Sequence, residues 1–229
     1  MDFRKEHLLN TIIEEFIKTS EPVGSKCIAV SSRFEVSPAT IRNEMVELEK
    51  MGYITHPHTS AGRIPTEKGY KYYIQNSLME KDLTMREKDL LEHAAHEEPA
   101  RKIKSLAKGV AEVSHMGVFV AFAENNFYYT GISNLFSHPE FYSHESVSSM
   151  SEIIDRLDDV IFKIFDTIGD DVEILLGREN PFGSECACII TKFKDKETED
   201  GIFGVLGPIR MDFQKNYSVV QFAKKLILE

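Results

Sequence analysis

The order of helix start and stop signals in residues 1–75 constrains the fold more than any other feature. Apolar residues recur at helical spacing between charged ones from Leu8 to Ile17, which predicts a first helix over 3–18. The segment 19–25, Thr-Ser-Glu-Pro-Val-Gly-Ser, ends that helix. Ser25 is the predicted N-cap of a short second helix over about 26–34.

A third helix and a hairpin follow. Ser37 is a suitable N-cap and Pro38 suits the first helical position, where its missing N–H costs nothing. This helix is predicted to end near Met51. Residues 53–56 and 64–65 read as two strands around a polar turn, and Thr66 can cap a fourth helix. The order predicts a winged helix-turn-helix domain.

The outer face of the third helix carries the predicted nucleic-acid chemistry. Ile41, Met45 and Leu48 lie at spacing i, i+4, i+7 and should face the core. The residues left facing outward are Ala39, Thr40, Arg42, Asn43, Glu44 and Glu47. Asn can bond adenine, Arg can bond guanine, and Thr can contact a thymine methyl group or a phosphate. The helix N-terminus also offers backbone N–H groups to a phosphate.

The complete set of predicted DNA contacts comes from three places. In and before the third helix they are Ser37, Ala39, Thr40, Arg42 and Asn43; in the wing they are His58, Thr59, Ser60, Gly62 and Arg63; the candidate phosphate contacts elsewhere are Arg4, Lys26, Lys68 and Lys71. Arg63, beside a flexible glycine, suits minor-groove insertion or a phosphate clamp. A winged helix that docks protein instead of DNA remains an alternative.

The charge distribution separates this segment from the rest. The formal net charge is −10, yet residues 1–75 contain 10 basic and 10 acidic residues and are neutral. Such asymmetry favours two domains with different partners. The acidic remainder should repel DNA and thereby disfavour non-specific binding.

The remaining residues predict an α+β domain with an antiparallel sheet. Thr84 and Glu87 match a capping box that opens a helix, and Pro99 opens another. Strands are predicted at 116–123, 127–131, 172–176, 186–193 and 202–206, with a long amphipathic helix at 147–168 and a final helix at 217–228. We therefore expect a DNA-binding domain at 1–75, a helical linker at 76–114 and the α+β domain at 115–229.

Patterns for catalysis, cofactors or metals are not convincing. Cys186 and Cys188 lie on one face of a strand and are expected to be buried small hydrophobic residues. His93 and His96 lack an evident third metal ligand, so a solvated helix face is the preferred interpretation. No apolar run approaches the ~18–20 residues that span a bilayer. The sequence thus predicts a cytoplasmic protein that is not an enzyme and has no cofactor, bound metal or membrane contact.

Several segments resemble the HrcA family of heat-inducible transcription repressors. The N-terminal ones are 21–25, 37–45 and 48–54, and the longest run is Pro57–Tyr70. Further segments of this kind are 131–141, 177–182 and 204–213. The resemblance covers most of the chain and implies a GAF-like fold for the α+β domain. Family members are usually longer because a domain that contributes to dimerisation is inserted there; here only residues 124–126 join two strands.

The resemblance also implies a function. A dimer would bind double-stranded DNA at an inverted-repeat operator, the CIRCE element, upstream of chaperone operons. The chaperonin GroEL would help to keep the repressor active. The dimer interface is expected on the apolar face of 147–168 and on the helices of 84–113. The alternative is a ligand- or protein-sensing module whose winged helix mediates protein docking.

Overall fold

A computed structural model describes residues 1–31, 34, 36–58, 62–122, 126–194 and 200–228. The chain divides into two compact units, Met1–Met79 and Glu80–Glu229. The division into functional parts at 75/76 and 114/115 stays a prediction. Among the described residues, no helix has the length and apolar character needed to cross a bilayer.

The first unit is a winged helix-turn-helix, as the sequence predicts. Its elements are α1 (Phe3–Thr19), α2 (Ser25–Ser31), α3 (Pro38–Lys50), β1 (Ile54–Thr55), β2 (Ile64–Pro65) and α4 (Glu67–Ser77). The helix α1 packs against α3, α4 and β2 and buries Leu8, Leu9, Ile12 and Ile13 fully. The predicted capping role of Ser25 is wrong, because Ser25 is already the first residue of α2.

The second unit is an α+β fold around one antiparallel sheet. Its elements are α5 (Met85–Ala95), α6 (Pro99–Ser114), β3 (Gly117–Phe122), β4 (Asn126–Thr130), α7 (Ile132–Phe136), α8 (His144–Asp155), α9 (Leu157–Ile164), β5 (Glu173–Leu176), β6 (Cys186–Phe193), β7 (Gly201–Pro208) and α10 (Phe213–Leu228). Single 3₁₀ turns lie at Pro139–Phe141 and Gly177–Glu179. The strand order is β4-β3-β7-β6-β5, and every neighbouring pair is antiparallel.

Helices cover this sheet. Alternate strand residues that share one face of the sheet, including Phe119, Cys188 and Ile202, form a core cluster with side chains of α7, α8 and α9. The strand residues between them, such as Val120 and Ile189, are also fully buried, and α6 and α10 pack against the sheet. Successive side chains of a strand point to opposite faces, so both faces are covered.

The predicted helix over 147–168 is wrong in its continuity. It consists of α8 and α9, separated at Arg156, where φ is −112°. The Asp158 side chain accepts a hydrogen bond from the Asp159 N–H at 2.8 Å. Such a local bond competes with helix propagation, and two acidic residues favour a new helix N-terminus there. The apolar stripe survives the break and lies in the core.

Candidate nucleic-acid interface

The start of α3 is fixed by its capping residues. The Ser37 side chain accepts the Thr40 N–H at 3.2 Å, and the two hydroxyl oxygens lie 3.0 Å apart. Pro38 occupies the first turn, as predicted. Two of the predicted contacts, Ser37 and Thr40, therefore already engage each other at the end of the helix that would approach a phosphate.

The faces of α3 are divided as predicted, with one exception. Ile41, Met45 and Leu48 are buried, and Arg42 and Asn43 are exposed beside Ala39. The exception is Glu44, which we expected to face outward and which is only 5% exposed. Position 44 lies three residues after Ile41 and four before Leu48, so it falls on the buried stripe.

Two cations of α1 pair with two of the three acidic residues of α3, Glu44 and Glu47. The Arg4 guanidinium forms an ion pair with Glu44, and Lys5 Nζ lies 3.0 Å from a Glu47 carboxylate oxygen. Arg4 compensates a buried carboxylate here, and its predicted phosphate contact stays a prediction. Such a pair restricts the position of α3 on α1, because separating it would leave Glu44 buried without an opposite charge.

The wing is attached to the chain segment before α2. Its strands pair Ile54 with Pro65 and Thr55 with Ile64. A Cβ on Gly62 would lie 2.6 Å from the backbone of Pro22 and Val23, so the close approach requires glycine. His58 is exposed, whereas the predicted contacts Thr59 and Ser60 lie outside the described residues.

Arg63 lies directly before β2 and joins three segments. Its backbone exchanges two hydrogen bonds with Val23, at 2.8 and 2.9 Å. Its guanidinium lies 2.9 Å from a Glu49 carboxylate oxygen of α3, and its side chain is 19% exposed. The other Glu49 oxygen contacts His56. In this arrangement Arg63 ties the wing to α3.

The charges around Glu49 perturb its ionisation. Burial raises the pKa of the carboxyl group, but the hydrogen bond with His56 and the charge of Arg63 outweigh burial. The net effect holds the Glu49 pKa below its ordinary value.

The three predicted lysines have different surroundings. Lys68 Nζ donates to the Met51 carbonyl at 2.8 Å and lies over the Tyr53 ring, at the C-terminal end of α3. Lys71 pairs with Glu67 one helical turn away at 2.9 Å. Lys26 is exposed on α2. A lysine at a helix C-terminus is favoured by the exposed carbonyl groups there.

Sequence reasoning missed the ion pairs that position α3. The signal for Glu44 was its i+3 spacing from Ile41, which places a carboxylate on the core stripe. No comparable signal pointed to Glu49, because its partners His56 and Arg63 reach it only after the wing folds back on α3.

The cysteines and histidines considered above as possible catalytic or metal sites lie in the second unit. Cys186 and Cys188 are buried, as expected, and burial raises the pKa of the Cys186 thiol to about 12. His93 and His96 are exposed on or next to α5. Within the described ranges, no group of three His, Cys, Asp or Glu residues could hold a metal ion.

The fold defines the class: a winged helix-turn-helix unit followed by a GAF-like α+β unit. Residues 64–216 match the family model described as the HrcA protein C terminal domain, and the chain belongs to the HrcA family. A crystal structure described as that of a hypothetical protein superposes with a TM-score of 0.81 at 18% identity. The match covers 99% of this chain and 97% of that one, and it supports the fold alone.

Curated relatives carry the name heat-inducible transcription repressor HrcA. The one from Pelotomaculum thermopropionicum is 52% identical over 91 residues, covering 40% of this chain but only 26% of its own length. The one from Carboxydothermus hydrogenoformans is 27% identical over 335 aligned positions, covering 100% of this chain and 98% of the relative. Because 335 positions align with 229 residues, a large segment of that relative has no counterpart here.

Proposed function

We propose that this chain is a cytoplasmic transcription repressor that binds an inverted-repeat operator of the CIRCE type and controls chaperone genes. The observation that carries the proposal is the exposed Arg42–Asn43 pair in the first half of a capped α3 beside a wing. The name of the relatives supports the same function.

In this proposal, α3 enters the major groove with its N-terminal half. Arg42 and Asn43 read base edges, because guanidinium and amide groups match guanine and adenine in that groove. The helix start at Ser37 faces a phosphate, and Lys26 adds a further phosphate contact. The wing, with His58 and the Gly62–Arg63 base, lies along the neighbouring groove.

Two copies would bind the two halves of the operator. Recognition helices of such dimers lie about 34 Å apart, one turn of DNA. The faces that we expected to support the dimer are mostly used inside the second unit, where Met150, Leu157 and Ile161 are at most 2% exposed. The helices α5 and α6 likewise bury Leu91 and Leu106 fully. We therefore infer that the two copies assemble mainly on the DNA.

A gel shift tests the proposal. The chain is titrated onto an inverted-repeat operator and onto a shuffled duplex at two salt concentrations. Specific binding should weaken with salt in proportion to the phosphates neutralised. Binding that is absent or independent of salt would instead support a sensing module whose winged helix docks protein.

Sedimentation tests assembly on the DNA. The free chain at micromolar concentration should be monomeric, and the operator complex should contain two copies. A stable dimer without DNA would contradict assembly on the operator, and a strict monomer that binds one half-site as tightly as the full operator would contradict the dimer.

The proposal includes GroEL as the partner that keeps the repressor active. Purified GroEL should increase the fraction of chain that binds the operator after mild heating, and an unfolded client protein should reverse the gain. No effect of GroEL at stoichiometric excess would remove this partner from the proposal.

A further inference from the structure

A cavity in the second unit is not used by the DNA-binding function. Its volume is about 410 Å³, and it lies between α8, the 3₁₀ turn Pro139–Phe141 and the segment before β6. Small-molecule sites in proteins typically measure ~300–1,000 Å³. The volume therefore suits a compact organic molecule.

The walls of the cavity are held by hydrogen bonds within the loop before β6. Asn180 is 5% exposed, and its amide donates to the carbonyl groups of Gly183 at 3.2 Å and Cys186 at 2.8 Å. The Asn180 amide oxygen accepts the Phe182 N–H at 3.2 Å. Gly183 has a φ of +96°, which disfavours other residues. A loop fixed in this way is preorganised for binding.

A second wall is fixed by an ion pair. The Arg210 guanidinium contacts Glu140 through two nitrogens, one of them at 3.2 Å from the second carboxylate oxygen. Arg210 thereby neutralises one of the three carboxylates that line the cavity. The Ile209 N–H also donates to the Glu185 carbonyl at 2.9 Å and joins this wall to the loop.

The residues that hold these walls come from three segments that are distant in the sequence. Glu140 belongs to 131–141, Asn180 to 177–182 and Arg210 to 204–213, the segments that carry the family resemblance beyond the winged helix. The operator contacts proposed above use none of them. Glu140 lines the cavity, whereas Asn180 and Arg210 lie outside the lining and hold Cys186 and Glu140 in place by hydrogen bonds.

The lining determines which ligand fits. Phe141, Met150 and Cys186 are at most 3% exposed and form an apolar floor. Glu145 and Glu185 are exposed and lie at the mouth. Since burial raises the pKa of the Cys186 thiol to about 12, that thiol is uncharged and not a nucleophile at neutral pH. An anion would meet like charge at the mouth, which disfavours it.

We propose that this cavity binds a small organic cation, with an ammonium group at Glu145 and Glu185 and an apolar part against the floor. The hydroxyl groups of Ser146, Ser149 and Ser184 also line the cavity and supply hydrogen-bond partners for the head group. The proposal concerns binding alone and does not depend on the proposed DNA-binding function.

The test compares three probes of one shape: phenethylamine, 2-phenylethanol and phenylacetate. Each is titrated into the full ¹⁵N-labelled chain while the amide signals of residues 183–186 are followed. Phenethylamine should shift them saturably, the alcohol should bind more weakly, and phenylacetate should not bind. No saturable shift with the amine, or equal binding of phenylacetate, would overturn the proposal.

Variants localise the binding. Glu145→Gln and Glu185→Gln should each weaken amine binding by about two- to five-fold, the range for one solvent-exposed charge pair. The matched control is Glu152→Gln, which lies on α8 outside the lining and should change nothing. Ser149→Trp should fill the cavity and abolish binding while the β6 amide signals retain their dispersion. Undiminished binding in Ser149→Trp, or equal weakening by Glu152→Gln, would place the amine elsewhere and reject the site.

Discussion

The ion pair between Arg4 and Glu44 gives the sharpest test of how α3 is positioned. The Glu44 side chain is 6% exposed and that of Arg4 is 58% exposed. Removing one partner of a fully buried pair costs about 3–5 kcal/mol. Because Arg4 is largely exposed, solvent screens the pair, and we expect Arg4→Ala to cost about 1–2 kcal/mol.

Thermal and urea unfolding of the full chain measure this cost. In a unit of this size, each kcal/mol lowers Tm by about 4–8 °C. Adding Glu44→Gln to Arg4→Ala should recover part of the loss, because the amide carries no charge that needs compensation. Lys18→Ala is the matched control; it breaks an exposed pair with Glu15 on the same helix and should cost less than about 0.5 kcal/mol.

The same variants distinguish a positioning role of Arg4 from a direct contact between Arg4 and a phosphate. If Arg4 acts through Glu44, the double variant should bind the operator better than Arg4→Ala and keep the same salt dependence. If Arg4 contacts a phosphate, both variants should lose about one unit of salt slope. Strictly additive unfolding costs in the double variant would show that Glu44 does not need Arg4 as its opposite charge.

Three further predictions concern other parts of the chain. Asn43→Ala should relax preference at one base pair by about 1–3 kcal/mol, measured by competition with single-base operator variants; equal loss on all sequences would contradict base reading. Gly62→Ala should strongly destabilise the first unit, because a Cβ meets backbone at 2.6 Å, whereas Gly24→Ala, with nothing within 4 Å, is the matched control in unfolding experiments. The hydrogen bond from Lys215 lowers the pKa of Glu87 from its ordinary value of 4.5 to about 2. A carboxyl group whose pKa is lower in the folded state stabilises the fold at pH values above its unfolded-state pKa. This stabilisation is lost as the pH falls through the folded-state pKa. Glu87→Gln should therefore unfold more readily above pH 4.5, and the difference should close towards pH 2; a constant difference across that range would contradict the linkage.

Local signals predicted several helix starts in both units well. Ser37, Thr66 and Thr84 cap the helices that follow them, and Glu87 completes the predicted capping box. These motifs act within a few residues, so a sequence displays them directly. The same holds for the strands of the second unit, whose positions follow from apolar runs.

Features that depend on distant contacts could not be predicted in this way. The apolar stripe at 147–168 forms two helices instead of one. The sheet on which it packs and the hydrogen bond that the Asp158 side chain accepts determine this outcome. Asp212 caps α10 by accepting the Lys215 N–H at 3.0 Å, so that helix begins four residues before its predicted start. Within the candidate interface, the exposure of Arg42 and Asn43 followed from periodicity, but the partners of Arg4 and Arg63 did not.

Selection of bound DNA from a random pool tests operator recognition by α3. We predict enrichment of two half-sites in inverted orientation, with centres about one helical turn, ~10 base pairs, or a multiple of that apart. The Asn43→Ala variant should relax one position in each half-site. Enrichment of no sequence, or of a single half-site without its inverted copy, would contradict the proposal that this chain recognises an inverted-repeat operator through α3.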